Sequence, residues 1–299
     1  MKIQPGDTVL LTGASGGLGV FIAHAFVDLK VKQALVAHPG ANLEELRKAI
    51  EGRGGEAIAI NSDLRDAAQR KQLVQDVRKR FGSIDILVNN AGVEFTSAYH
   101  DLSEENIYEV LNVNLEAPMI LSRLILPEML ERKRGHIVNI SSLAGKAGPA
   151  FQEPYAATKA GLIAFTFSLR ASYRRAGVSA SAIVPGFVET GIYTKLKEKS
   201  GCSAPAMLGT SAPETVARAV LRAIRRDLPE IIVNPLPVRP LLALTAMFPS
   251  LGEWVTGKTG GHEFFRKVVE RRSKPKQPQH YEEVRVLPTR SYSLLSIRC

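Results

Sequence analysis

The chain has 299 residues, 45% hydrophobic and 23% charged, a globular composition with room for one large α/β domain or two small ones. Only two cysteines occur, Cys202 and Cys299, which excludes a disulfide framework, and no run reaches the roughly 18–20 apolar residues needed to span a bilayer. The formal net charge is +10, but no zinc-finger spacing or other nucleic-acid motif accompanies it, so no nucleic-acid partner is expected.

In chain order, 7–12 (DTVLLT) is an apolar run ending in glycine, as in a buried strand, and 17–30 carries apolar positions at helical spacing. The alternation continues with strands at 34–37, 57–60 and 84–90 and helices over 42–53 and 65–81. A long helical region covers 104–132, followed by a strand at 136–140, a helix over 155–176 and a strand at 178–185. Ser211 and Glu214 fit a capping box for a helix over 213–226, and EIIV at 230–233 is the last strand. Strands that are apolar on both faces and alternate with helices predict a doubly wound, Rossmann-type α/β fold, with a seven-stranded parallel sheet covered on both sides.

Residues 1–234 therefore form the expected dinucleotide-binding domain. Beyond it, 235–252 is apolar but broken by prolines at 235, 237, 240 and 249. Short helices are expected over 240–248 and 262–272, making 235–272 a C-terminal helical extension packed on or near the substrate site. From Ile231 onward eleven Lys/Arg stand against five Glu, and 273–299 lacks a sustained period, as in a mobile tail. The N-terminus lacks a signal-peptide pattern, so the expected location is cytoplasmic.

Three motifs carry chemistry. TGASGGLG (12–19) lies at the first strand-to-helix turn, where Gly13, Gly17 and Gly19, with Ser15, Gly16 and Leu18 between them, would let the backbone approach a pyrophosphate at a helix N-terminus. NNAG (89–92) ends the fourth strand and offers Asn90, Ala91 and Gly92 to a ligand outside the carboxyl edge of the sheet. NISS (139–142) brings Ser141 and Ser142 to the same edge, and the next helix starts with PYAATK, whose Tyr155 and Lys159 are four residues apart and share a face. A free tyrosine has a pKa near ~10, and a neighbouring ammonium favours its phenolate.

Together with NVN at 112–114 and PGFVET at 185–190, these motifs resemble the short-chain dehydrogenase/reductase family in its single-domain, Tyr-dependent branch, over roughly residues 5–235. The resemblance implies an NAD(P)(H)-dependent oxidoreductase that interconverts a secondary alcohol and a ketone or aldehyde. Ser142, thirteen positions before Tyr155, would polarise the substrate oxygen, and Tyr155 would act as general acid or base. Lys159 would lower the tyrosine pKa and hold the nicotinamide ribose, and Asn114 would hold a water in the proton relay. Pro185, Gly186, Val188 and Thr190 would close over the nicotinamide, while Asp63 and Leu64 would contact adenine. The alternative is a non-catalytic, cofactor-binding interaction protein of the same fold.

NAD-preferring members place an acid at the end of the second strand, but here that end carries Ala37 and His38. His38 could meet a 2'-phosphate. Gly16 stands where many NADP-preferring members have a basic residue, and on balance NADP(H) is favoured over NAD(H). No metal site is expected. Phe151, Gln152 and Phe187 suggest a mainly apolar substrate pocket, with 191–210 as a lid. The resemblance further implies a homodimer or homotetramer built on the 104–132 and 155–176 helices. The apolar and basic segment 235–272 could also touch a membrane surface peripherally.

Overall fold

Alternation with a period of two lets strand β1 (Thr8–Thr12) serve both sides of the molecule. Val9 and Leu11 enter the core on one face and Leu10 enters it on the other, all three fully buried. The computed structural model describes residues 1–205, 208–258 and 260–273. Six further strands flank β1: β2 (Lys32–Ala37), β3 (Glu56–Asn61), β4 (Ile86–Asn89), β5 (Gly135–Ile140), β6 (Val178–Pro185) and β7 (Glu230–Val233). All pair in parallel in the order β3-β2-β1-β4-β5-β6-β7. The winding reverses at β1, which opens a crevice at the carboxyl ends of β1 and β4. The doubly wound sheet is the one expected.

Helices α1 (Leu18–Val27), α2 (Glu44–Glu51) and α3 (Ala67–Phe81) follow the first three strands. The long helical region is not continuous. It divides into α4 (Glu104–Leu111) and α5 (Ala117–Glu131), joined by a wider π turn over Asn112–Glu116. Next come a short α6 (Ala144–Ala147), then α7 (Glu153–Tyr173), α8 (Gly191–Ser200) and α9 (Pro213–Arg226). Ile22, Phe26, Ile50, Val220 and Ile224 bring α1, α2 and α9 onto one face of the sheet. Leu73, Val77, Leu121 and Ile125 bring α3 and α5 onto the other.

The expected capping box at the start of α9 does not form. Ala212 is the N-cap and makes no side-chain cap bond, because Ser211 is bridged to Val188 and its backbone is bound to Phe187 and Glu189. Beyond β7 lie α10 (Arg239–Met247), α11 (Pro249–Lys258) and α12 (Gly261–Ser273). Helix α11 was not expected, since Pro249 looks like a break in sequence. Its place in the first turn, where no intrahelical N–H bond is lost, makes it a helix start instead. The expected mobile tail lies outside the described residues from 274 onward. No helix among the described residues is long and apolar enough to cross a membrane.

Candidate active site at the carboxyl edge of the sheet

The glycine turn and the NNAG segment are stitched into one unit. Thr12 Oγ1 accepts the backbone N–H groups of Asn90 (3.0 Å) and Ala91 (3.1 Å), while Asn90 Nδ2 donates to the carbonyls of Thr12 (3.1 Å) and Gly13 (3.0 Å). Gly13 has φ +66°, and a Cβ there would lie 2.7 Å from Ala91 Cα, so only glycine fits the junction. A Cβ on Gly19 would lie 2.0 Å from the Gly13 carbonyl oxygen, so α1 packs directly on the turn. Helix α1 starts at Leu18 after Gly17, with no side chain capping its first amides. The partly positive helix end faces a cavity lined by Gly13, Ser15, Gly16, Gly17 and Leu18, with Asn90, Ala91 and Gly92 opposite. Bare amides and open space in front of Gly16 fit a pyrophosphate.

The two serines at the end of β5 separate. Ser141 is buried and its Oγ donates to the Lys159 carbonyl at 2.8 Å, anchoring α7. Ser142 lines the cavity, where its Oγ accepts the Ala144 N–H at 3.1 Å and its side chain is hydrogen-bonded to Tyr155. Pro154 in the first turn of α7 starts the helix that carries Tyr155 and Lys159 on one face. Lys159 is 4% exposed, its Nζ donates to the Ile140 carbonyl at 2.9 Å, and it sits 5.5 Å from the centroid of the Tyr155 ring.

Burial pushes the Tyr155 phenol up to about 12; the Ser142 hydrogen bond pulls the other way, and the charge of Glu94 adds to the rise. Burial also pushes the Lys159 ammonium down to about 8. The expected lowering of the tyrosine pKa by its lysine is not found: burial dominates, Lys159 is not among the groups that shift it, and the phenol keeps its proton at neutral pH.

Asn114 is fully buried behind this pair and lies outside the cavity lining. Its Oδ1 accepts the Val93 N–H and its Nδ2 donates to the Val93 carbonyl, both at 2.9 Å, with Thr158 Oγ1 at 3.4 Å. The π turn presents Asn114 to Val93 and so fixes the strand-end segment to the α4–α5 region.

Pro185, Gly186, Val188 and Thr190 line the cavity beyond β6, held by the Val188–Ser211 bridge. Asn234, after β7, joins them with a buried Oδ1 that lacks a hydrogen-bond partner. At the β2 end, His38 reaches the lining. Asp63 does not. Its carboxylate is held below the usual carboxylate range by hydrogen bonds from Arg65, with Arg65 Nη2 at 2.7 Å. Leu64 is buried and also outside the lining, its carbonyl accepting from Arg70. Arg65 Nη2, paired with Asp63, lies 3.4 Å from His38 Nε2, and the Asp63 carboxylate is itself 4.0 Å from that nitrogen. In sequence, Arg65 could not be told from a solvated residue at a helix start.

The far wall is built from side chains. The region expected to be a lid carries helix α8, packed against α12. Phe187 lies with its ring centroid 5.3 Å from both Tyr193 of α8 and Phe264 of α12, and Phe265 completes the cluster. Phe187 and Gln152 line the cavity, whereas Phe151 packs beside the aromatic cluster outside the lining. Gln152 is 3% exposed and its Nε2 donates to Glu94 Oε1 (3.2 Å) and Thr96 Oγ1 (3.0 Å). Glu94 was not among the expected residues, because one carboxylate two positions after NNAG has no sequence signature. Leu241, Leu242 and Thr245 of α10 complete the lining of a cavity of about 1080 Å³. That volume is at the top of the range for a single small-ligand site.

The model of the family described as short chain dehydrogenase matches residues 7–201. The ketoacyl reductase HetN of Nostoc sp. is 40% identical over 279 residues, which covers 92% of this chain and 96% of that protein. The 3-oxoacyl-acyl-carrier-protein reductase FabG of Thermotoga maritima is 33% identical over 234 residues, 74% of this chain and 91% of that one. Among solved structures, an actinorhodin polyketide ketoreductase with NADPH aligns with a TM-score of 0.72 at 29% identity, covering 76% of this chain and 95% of that one. A metagenomic short-chain oxidoreductase in complex with NADP aligns at 0.67 with 30% identity, over 79% of this chain and all of the other. This chain belongs to the short-chain dehydrogenase/reductase family. It is accordingly an oxidoreductase.

Proposed function

We propose that the protein is an NADPH-dependent ketoreductase acting on a ketone carried by an apolar chain, of the ketoacyl kind named for its relatives. One observation carries the reading: Ser142 hydrogen-bonded to Tyr155, with Lys159 behind it, in the same cavity as the glycine cradle. The NADP-bound structural neighbours and the absence of an acid at positions Ala37 and His38 support the choice of NADPH. Residues 1–234 form the catalytic unit, and 235–272 shapes the substrate side.

When bound, the nicotinamide supplies the hydride that the carbonyl carbon accepts. Gly13 to Leu18 would hold the pyrophosphate, and residues of the 185–190 loop would hold the nicotinamide end. Ser142 and Tyr155 bind the carbonyl oxygen by hydrogen bonds and orient it. Tyr155 gives its proton to that oxygen as the carbon is reduced, so that C=O becomes CH–OH. A phenol with its pKa raised keeps that proton throughout neutral pH. Lys159 stabilises the phenolate left behind, and Asn114 positions the floor of the site through Val93. Exposed Tyr108, Leu111, Met119 and Phe167 on α4, α5 and α7 support a homo-oligomer built on that face.

The test is reduction of a 3-ketoacyl thioester and of ketones with lengthening alkyl chains, followed by nicotinamide absorbance with NADPH and with NADH. Tyr155→Phe should bind NADPH nearly as wild type does and lose turnover by about 10²–10⁴-fold. Full activity in that variant would remove the mechanism, and absence of turnover with any ketone in wild type would favour the non-catalytic reading.

A further inference from the structure

The helices after β7 present two different apolar faces, and ketone reduction uses only one. Leu241, Leu242 and Thr245 of α10 face the cavity. Leu244 and Met247 of α10, Phe248 in the link, and Leu251 and Trp254 of α11 are exposed to solvent. Met247 is 72% and Trp254 63% exposed, and α10 has no buried residue. Single exposed apolar side chains need no explanation, but a group of them on two helices that pack together marks an interaction surface.

Charge decides what the surface meets. Arg239 stands at the start of α10, 61% exposed although it also reaches Glu230, and Lys258 ends α11. Arg266 and Lys267 follow on α12, which packs on α11, and both pair with Glu263, while Glu253 lies on α11. The sequence from Ile231 onward holds eleven Lys/Arg against five Glu. A two-fold contact with a second copy would set this basic region against itself. The segment 274–299 carries five Lys/Arg against two Glu, so its sign also matches rather than complements the patch. An anionic surface complements it.

We propose that the outer face of α10 and α11 docks on an anionic lipid bilayer. Met247, Phe248 and Trp254 enter the boundary between headgroups and acyl chains, and Arg239 and Lys258 meet the anionic headgroups. Because the inner face of α10 lines the cavity, docking brings this wall of the cavity to the lipid. The surface contact does not depend on which substrate the enzyme reduces.

Trp254 is the only tryptophan in the chain, so its emission reports on this patch alone. The full chain is titrated with vesicles of phosphatidylcholine, alone or mixed with phosphatidylglycerol, and pelleted with them. The expected result is a blue shift of Trp254, quenching by brominated acyl chains, and co-sedimentation with the anionic vesicles. A double variant, Met247→Ser with Phe248→Ser, changes exposed side chains only, and its unchanged melting temperature checks its fold. Its binding should weaken at least about tenfold, the loss of one buried apolar anchor or more. An unchanged emission without pelleting overturns the proposal, as does equal pelleting of the double variant. Emission already blue in buffer overturns it too, pointing to a second copy if dilution reverses the shift and to the 274–299 segment if it does not.

Discussion

The wall of the cavity formed by β1, β4 and α7 is held by backbone contacts, whereas the wall formed by α8 and α12 is held by aromatic side chains. On the first wall, Asn90 binds the carbonyls of Thr12 and Gly13, Asn114 binds both backbone atoms of Val93, and Lys159 binds the Ile140 carbonyl. On the second, Phe187, Tyr193, Phe264 and Phe265 pack ring against ring, and the polar tie Ala150 N–H to His262 Nδ1 joins α12 to the loop before Tyr155. Backbone contacts admit few substitutions. Side-chain packing can be exchanged for other apolar groups of similar volume. The first wall is therefore the one that substitution disturbs most, and the second the one that it can reshape.

The largest expected effect attacks the backbone wall. Gly19→Val would put side-chain carbons where the Gly13 carbonyl now sits, only 2.0 Å from even a Cβ. Either α1 or the turn must move, at a cost of about 3 kcal/mol or more, and the cradle loses its shape. Thermal melting should fall by several degrees, and NADPH binding, followed by calorimetry, should disappear. Retained NADPH affinity would mean that the cradle tolerates movement and that the contrast between the walls is overstated.

Phe264→Ala attacks the other wall. Phe264 is 3% exposed and contacts three aromatic rings, so truncation should cost about 3 kcal/mol in the cap. If the walls are independent, the consequence is a KM for long-chain ketones raised about tenfold, with kcat and NADPH affinity within about threefold of wild type. A collapse of NADPH binding in this variant would show that the cap and the cradle fold as one.

The same division explains what could be read from the sequence. Seven strands, the glycine turn, NNAG and the Tyr155–Lys159 pair rest on local patterns, period-two alternation, glycines at a strand end and i, i+4 spacing, which no distant contact is needed to create. Readings that depended on a tertiary partner fared differently. Ser211 leaves the cap position because Val188, 23 residues earlier in the chain, bridges it. The break between α4 and α5 exists because Asn114 reaches Val93, 21 residues away in the chain. Asn234 joins the lining, and Glu94 reaches the lining residue Gln152, through folding alone. Pro249 shows the ambiguity of a single residue type, since a proline in the first turn starts a helix and in mid-helix ends one.

The smallest predicted effect concerns the two titrating groups of the backbone wall. Burial holds Lys159 at about 8 and Tyr155 at about 12, so between these values the tyrosine keeps its proton while the lysine loses its charge. Ketone reduction should then be flat through neutral pH and fall about tenfold above pH ~8, as the ammonium that stabilises the phenolate disappears. Stability moves the opposite way. The lysine pKa is lowered from 10.5, so the folded state binds fewer protons than the unfolded chain between about 8 and 10.5. Unfolding free energy therefore gains from this group as pH rises through that window. A rate that falls while the contribution of Lys159 to stability rises cannot be assigned to unfolding driven by that group. Lys159→Arg separates the remaining possibilities, because a guanidinium does not deprotonate in this range. Its rate will be lower, but its alkaline fall should move up towards the tyrosine. An unshifted fall near pH ~8 in that variant would assign the titration to another group and leave Lys159 with a structural role at the Ile140 carbonyl.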